Sequence, residues 1–426
     1  CEIYTDVDGV YTTDPRLLPE ARQVKQVAYD EMLELASLGA GVMHNRSIEF
    51  AKKFNVPIHV RSSFSDVPGT MIVPSPESDT RPVSGCAMTR DEARITIDDV
   101  PDRPGVSQAI FSAIAARNIT VDMIVQNVGA AGRANISFTV LRSELPATLR
   151  VLDGLAASLG AAKVTHDDQV SKISVVGLGM AKQTGVADKM FRALANAGIN
   201  ITMITTSEIK ISALVAREKC REALHAVHSA FKLHKRPTEV NDPAQSAAAA
   251  READISAVVE RLRAIDSIEG LAIDDVRVDT SQARVTVSGV PDKPGIAADI
   301  FETVARANVM VDMIVQSFGK EGTASISFTM PKDQLNAALA ATEEVAKRDG
   351  CASVTSSPQV AKLSVSGIGM RSHTGVAVRM FGALAEAGIN VELINTSEVR
   401  VNVIVAGDAG EKGLAVLQAA FADADI

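Results

Sequence analysis

Residues 93–98 read Ala-Arg-Ile-Thr-Ile-Asp, with apolar side chains at every second position, and this alternation predicts a half-buried strand. The period then changes. Val106, Ala109, Ile110, Ala113 and Ile114 recur at helical spacing and make one apolar face. Asp102, Pro104 and Gly105 stand just ahead of that face: proline tolerates the first turn and aspartate can cap it, so the helix is expected to open here. Asn118 is expected to stop it. Residues 119–128 and 133–141 read as two strands around a turn from Gly129 to Gly132. A second helix is expected roughly over Glu144–Leu159, and a strand from Ala162 closes the unit. The order strand–helix–strand–strand–helix–strand is the ferredoxin-like βαββαβ pattern, so the fold class is α+β. So small a unit buries little surface alone, and pairing through helices and sheet edges is the expected remedy.

The same pattern returns. VPDRPG at Val100 reappears as VPDKPG at Val290, and VDMIVQNVG at Val121 as VDMIVQSFG at Val311. ISVVGLGM at Ile173 reappears as LSVSGIGM at Leu363, and AGINITMITTSE at Ala197 as AGINVELINTSE at Ala387. Every pair is offset by 190 residues (290 − 100, 311 − 121, 363 − 173, 387 − 197), so no insertion separates the copies over this stretch. A weaker repeat lies inside each copy, where the run from Pro104 resembles the run from Thr184. Four similar modules are therefore expected, as pairs over 83–232 and 271–426, after a separate unit at 1–74. Residues 233–270 are polar, with Pro237, Pro243 and an alanine run, and read as a linker.

Composition narrows the function classes. Only 4% of the 426 residues are aromatic and none is Trp, while 46% are hydrophobic, so small aliphatic side chains must fill several small cores. The net charge of −9 argues against wrapping a nucleic-acid backbone. Cys1, Cys86, Cys220 and Cys351 are far apart and form no CxxC pair, which points to free thiols and a cytoplasmic setting. No run is apolar and long enough to span a membrane. His225 and His228 stand three apart on an expected helix near Cys220, but without a further ligand they read as solvent-facing, and no metal site is expected. His44 and His59 have no nucleophile partner in a recognisable motif.

The D-x-P-G loop at Asp102, the helix after it and the VDMIVQ run resemble the ACT domain, a regulatory amino-acid-binding module. The second member of each pair, with GMxxxTGV and GIN…TSE, is similar to the partner ACT domain of aspartate kinases. In that family the second domain borrows a strand from just before the first; VSGCAMT at Val83 fits that role here, as does the region after Gly270 in the second copy. The resemblance covers roughly residues 83–426. Its chemistry is physically reasonable. A helix opening at Gly105 offers unpaired N–H groups and the positive end of the helix dipole to a carboxylate, with no Cβ in the way. Asp102 has two readings, helix cap or partner of an ammonium group. Gln126 can both donate and accept, and Asn200 can complete the site from the partner module. The resemblance implies that these residues, with neighbouring Val106 and Ile201, contact lysine or threonine as feedback effectors. The second copy offers Asp292, Gly295, Ile296, Gln316, Asn390 and Val391. Ser107 and Ala297 differ between the copies next to these positions.

At the start of the chain, TDVDGVYTTDPR at Thr5 resembles the nucleotide-binding loop of the amino-acid kinase family. The run from about Asp30 to Phe64 is similar to the closing part of aspartate kinases. This second resemblance covers about residues 1–72. Carried over by position, Thr5 and Asp6 contact the adenosine part of ATP, Tyr11 packs against the nucleotide, and Arg16 approaches the phosphates. Gly41 stands where many relatives carry a phosphate-side Lys; Arg46 and Lys52 are nearby cations. The family's N-terminal segment with its catalytic Lys is not among these residues, and the chain opens on Cys1, so a fragment with no turnover of its own and no catalytic residue is expected. The implied parent activity moves the γ-phosphate of ATP, as its Mg2+ complex, to the side-chain carboxylate of L-aspartate, on the route to lysine, threonine and methionine. It implies ACT-mediated homo-oligomers. The competing reading is a stand-alone ACT sensor that regulates another protein.

Overall fold

The computed structural model describes residues 1–39, 42–128, 132–161, 163–246, 272–318, 322–368, 370 and 375–422. Gly41, the turn at Gly129 and most of the expected linker lie outside them. The N-terminal unit is a four-stranded sheet of order β1-β3-β4-β2: β1 (Glu2–Thr5), β2 (Gln26–Ala28), β3 (Ile58–Ser62) and β4 (Thr70–Val73). Its helices are α1 (Tyr29–Ser37) and α2 (Asn45–Lys53). Met32, Leu33, Ile48, Ile58, Val60 and Ile72 fill the core between them.

The rest is a twelve-stranded sheet. The first copy supplies β5 (Gly85–Pro101), β6 (Val121–Val128), β7 (Arg133–Leu141), β8 (Lys163–Val176), β9 (Met203–Thr206) and β10 (Lys210–Ala216). Its helices are α3 (Val106–Ala115), α4 (Leu145–Leu159), α5 (Val186–Asn196) and α6 (Cys220–Ala230). The second copy supplies β11 (Ala272–Pro291), β12 (Ile314–Phe318), β13 (Thr323–Pro331), β14 (Ser353–Ile368), β15 (Leu393–Thr396) and β16 (Arg400–Ala406). It also carries α7 (Ile296–Arg306), α8 (Leu335–Asp349), α9 (Gly375–Glu386) and α10 (Gly410–Phe421). Strand order is β15-β16-β14-β11-β13-β12-β9-β10-β8-β5-β7-β6.

The borrowed strand is present. The first part of β5, Gly85–Thr89, pairs with Val176–Lys172 in the second module, and the later part, Arg94–Asp98, pairs with Asp167–Lys163 in the first. Thus β5 and β8 run through both modules of a copy, and the two modules are joined through strands. Their helices α3 and α5 remain to be covered, and the other copy covers them: α3 packs on α9, and α5 on α7. Phe111 meets Phe381 at 5.7 Å between ring centroids, and Phe191 meets Phe301 at 5.6 Å. Burial of each ring stabilises the contact by roughly 1.5–3 kcal/mol. β9 hydrogen-bonds to β12, and at the equivalent place β15 lies against β6, where the Thr396 hydroxyl donates to the Asp122 carbonyl at 3.0 Å. The sheet therefore curves into a near-ring. Inside it Met123, Val125, Val170, Met203 and Leu214 pack with their counterparts Met313, Val315, Val360, Leu393 and Ile404.

The segment after α6 does more than link. Asn241 donates to the Pro76 carbonyl at 3.0 Å, and Ser246 shares a 2.9 Å hydrogen bond with Ser75, so residues up to 246 are docked on the N-terminal unit.

Candidate functional site

Two equivalent junctions lie where the copies cross. Gly105 and Gly295 are the N-caps of α3 and α7, with φ of +92° and +100°. That left-handed conformation suits glycine, and neither cap has a side-chain acceptor for the first-turn N–H groups. Asp102 does not cap. Its Oδ1 accepts from Asn390 Nδ2 at 2.7 Å, and Asp292 Oδ1 accepts from Asn200 Nδ2 at 2.7 Å. Gln126 donates to the Val391 carbonyl at 2.5 Å, and Gln316 to the Ile201 carbonyl at 3.0 Å. Val106 and Ile296 begin the two helices beside these bonds.

The expected residues thus come together, but not in the expected sets. Asn200 was expected to complete the site of Asp102, within its own copy. It instead joins Asp292, Gly295, Ile296 and Gln316, while Asn390 and Val391 join Asp102, Gly105, Val106 and Gln126. The shared strands β5 and β8 are the reason: they direct α3 and α5 of one copy to different partners.

The junctions differ in charge. Glu392 lies beside Asp102 and pairs with Arg284 at 2.6 Å; its counterpart at the other junction is Thr202. Burial pushes the Glu392 carboxyl above its ordinary value, Arg284 opposes this, and Asp102 adds to it. A hollow of about 330 Å³ away from these junctions was not foreseen; Gly185, Asp188, Gln282, Asp312 and Lys362 are among its walls. The similarity of the Thr184–Val186 run to the Pro104–Val106 run was the available signal.

In the N-terminal unit, the Thr5 hydroxyl donates to the Val7 carbonyl at 3.0 Å and fixes the turn after β1. Asp6 and Arg16 are exposed; Arg16 pairs with Asp14 at 2.8 Å, and the charge of Asp6 also reaches it. Tyr11 is held by a bridge to Gln23, and burial followed by the Asp8 charge raises its phenol above the usual value. Lys52 pairs with Asp30 at 2.7 Å.

The loop carrying Tyr11 touches the ring directly. The Thr12 carbonyl accepts from the Cys86 N–H at 2.8 Å, and the Thr12 hydroxyl shares a 3.0 Å hydrogen bond with His228 Nε2. His228 was expected to face solvent; it is 1% exposed. Of the two histidines, His225 is the exposed one. Helix α1 makes the second contact. Glu31 Oε1 accepts from the Leu178 N–H at 3.0 Å, and burial raises its pKa despite that bond. Glu34 pairs with Lys210 at 2.7 Å and accepts from the Glu398 N–H at 3.2 Å, reaching both copies at once.

Known proteins bear on this geometry. Residues 98–154, 173–231, 285–345 and 363–421 match the ACT domain family, and residues 1–62 match the amino acid kinase family. An aspartate kinase of Pseudomonas putida is 50% identical over 235 residues, 55% of this chain and 57% of that protein. An aspartokinase of Thermus thermophilus is 44% identical over 237 residues, 55% of this chain and 58% of that protein. The chain therefore spans under two thirds of the curated relatives it matches. The crystal structure of aspartate kinase from Synechocystis superposes with a TM-score of 0.72 at 35% identity, covering 100% of this chain and 71% of that one.

Proposed function

This chain belongs to the aspartate kinase family and carries four ACT domains, and on that premise we propose that it is the nucleotide-side wall and regulatory ring of a feedback-controlled aspartate kinase. The parent enzyme transfers the γ-phosphate of ATP to the side-chain carboxylate of L-aspartate, with Mg2+ arriving on the nucleotide. Thr5 and Asp6 would hold the adenosine end, Tyr11 would pack on the nucleotide, and the 85%-exposed Arg16 side chain would exchange its Asp14 partner for phosphate charge. The ring binds lysine or threonine at a crossed junction: the carboxylate rests on the glycine-opened helix start, and the aspartate and glutamine face the ammonium group. Homo-oligomers form through the ACT domains, in the cytoplasm.

One observation carries this reading. The Asn200–Asp292 and Asn390–Asp102 bonds join the two copies at bare helix starts, so a ligand seated there acts on how the copies sit together. Regulation is then a population shift, transmitted through Glu34, which touches both copies, and through Thr12 in the nucleotide loop. The test is inhibition of aspartyl-phosphate formation, by the enzyme that contains this chain, with lysine, threonine and both together. Activity unchanged by all three additions would refute the regulatory reading, and absence of ATP-dependent phosphorylation of aspartate would refute the catalytic one.

A further inference from the structure

Resting on that reading of the nucleotide loop, we infer that His228 is a positioning residue for ATP: it acts through Thr12 to set the loop that carries Tyr11, and so ties nucleotide affinity to helix α6 of the ring. Thr12 is buried and follows Tyr11 directly in the chain. It is stitched on two sides. Within the N-terminal unit its N–H donates to the Arg22 carbonyl at 2.9 Å, and its hydroxyl oxygen accepts from the Arg22 N–H at 3.1 Å, next to the Tyr11–Gln23 bridge. From the ring, the Cys86 N–H donates to its carbonyl at 2.8 Å and His228 Nε2 shares its hydroxyl at 3.0 Å. The first two bonds fix the loop to itself. The other two fix it to β5 and α6.

The second copy shows that the ACT fold does not itself require this histidine. By the 190-residue offset His228 corresponds to Gln418, and Cys86 to Val276. Gln418 is exposed on α10, whereas His228 is buried on α6. One helix position thus faces solvent in the second copy, and in the first it carries a buried ring hydrogen-bonded to the nucleotide loop. A buried hydroxyl that loses a partner is unfavourable, so Thr12 follows α6 rather than parting from it. Helix α6 packs on α5, and α5 on α7 of the other copy. Lys189 of α5 also sits over the Phe231 ring, just past the end of α6, at 5.1 Å from its centroid. A shift of one copy against the other therefore has a packed route through α5 and α6 to His228, Thr12 and Tyr11.

The experiment is steady-state kinetics of aspartyl-phosphate formation by the enzyme that contains this chain, with ATP and L-aspartate varied in turn. Wild type, His228→Leu, His228→Gln and Thr12→Val are compared, each checked for a native circular dichroism spectrum. His228→Leu should raise KM for ATP about fivefold or more, the scale of one net hydrogen bond, with kcat and KM for aspartate within about twofold of wild type. His228→Gln keeps a polar amide facing Thr12 and should restore most of the ATP affinity. Thr12→Val should repeat the His228→Leu result, and it decides the question where the leucine variant does not fold. A KM for ATP unmoved in a folded His228→Leu or Thr12→Val, or a fall in kcat with both KM values unchanged, would mark the histidine as merely structural. Either result would overturn the inference and leave the proposed function standing. No ATP-dependent phosphorylation of aspartate by the wild-type enzyme would overturn both.

Discussion

Glu34→Gln is the sharpest perturbation of the contact between the N-terminal unit and the ring. The Glu34 side chain is 0% exposed, Lys210 is 5% exposed, and their charged atoms are 2.7 Å apart. By the 190-residue offset Lys210 corresponds to Arg400, which pairs with Glu208 across the copies. Lys210 pairs with Glu34 instead, so helix α1 takes a position that breaks the ring's symmetry. Glutamine keeps the volume and can still accept from the Glu398 N–H, so the substitution removes the charge and little else. An ammonium stripped of its partner inside a protein costs about 3–5 kcal/mol, whereas removing both charges together is often close to neutral. Glu34→Gln and Lys210→Met should therefore each lose about 3–5 kcal/mol, and the double variant should recover most of it. Urea denaturation followed by far-ultraviolet circular dichroism gives the three free energies, and the cycle gives the coupling. A loss under about 1 kcal/mol in Glu34→Gln, or a double variant equal to the sum of the singles, would refute the buried pair as the joint between the units.

Burial lowers the His228 pKa to about 4 from an ordinary 6.5, so the folded chain holds this imidazole neutral. Its contribution is complete above about 6.5 and lost as pH falls toward about 4, because the unfolded chain takes up the proton first, at an upper bound of about 3 kcal/mol. Urea midpoints measured across that window should fall in wild type and flatten in His228→Gln; parallel slopes would contradict the assignment. Gly295→Ala meets no atom closer than Ala195 Cβ at 3.9 Å, so its penalty comes from φ of +100° alone. A loss of about 1 kcal/mol or more is expected in a thermal melt, with weaker binding of the effector amino acid, and an unchanged melting temperature would count against the strained cap.

Much of the architecture is written in local pattern. The alternation at 93–98 and the helical spacing from Val106 fall within β5 and α3, and Asn118 does end that helix region with φ of +55°. The strand from Val83 was legible only through the ACT resemblance, which implies a strand borrowed from just before the first module, and Gly85–Thr89 does pair with the second. What local pattern lacks is which copy covers which. Asn200 and Asn390 sit in nearly identical surroundings, so sequence cannot say which one reaches Asp102; the path of β5 and β8 decides it. Asp102 as a helix cap was a fair reading of D-x-P-G, displaced by a donor that is 288 residues away in the chain. His228 was misread for a related reason. Spacing on a helix shows which side chains share a face, but not that Thr12, 216 residues away in the chain, meets His228 there.

The claim on which the rest depends is that one ligand is gripped by both copies. Hydrogen–deuterium exchange of the full chain, with and without saturating L-lysine or L-threonine, tests it directly. The account requires simultaneous slowing in peptides spanning 292–298 and 199–202, the two sides of the Asn200–Asp292 junction. Slowing confined to one copy, or confined to peptides away from both segments, would contradict it.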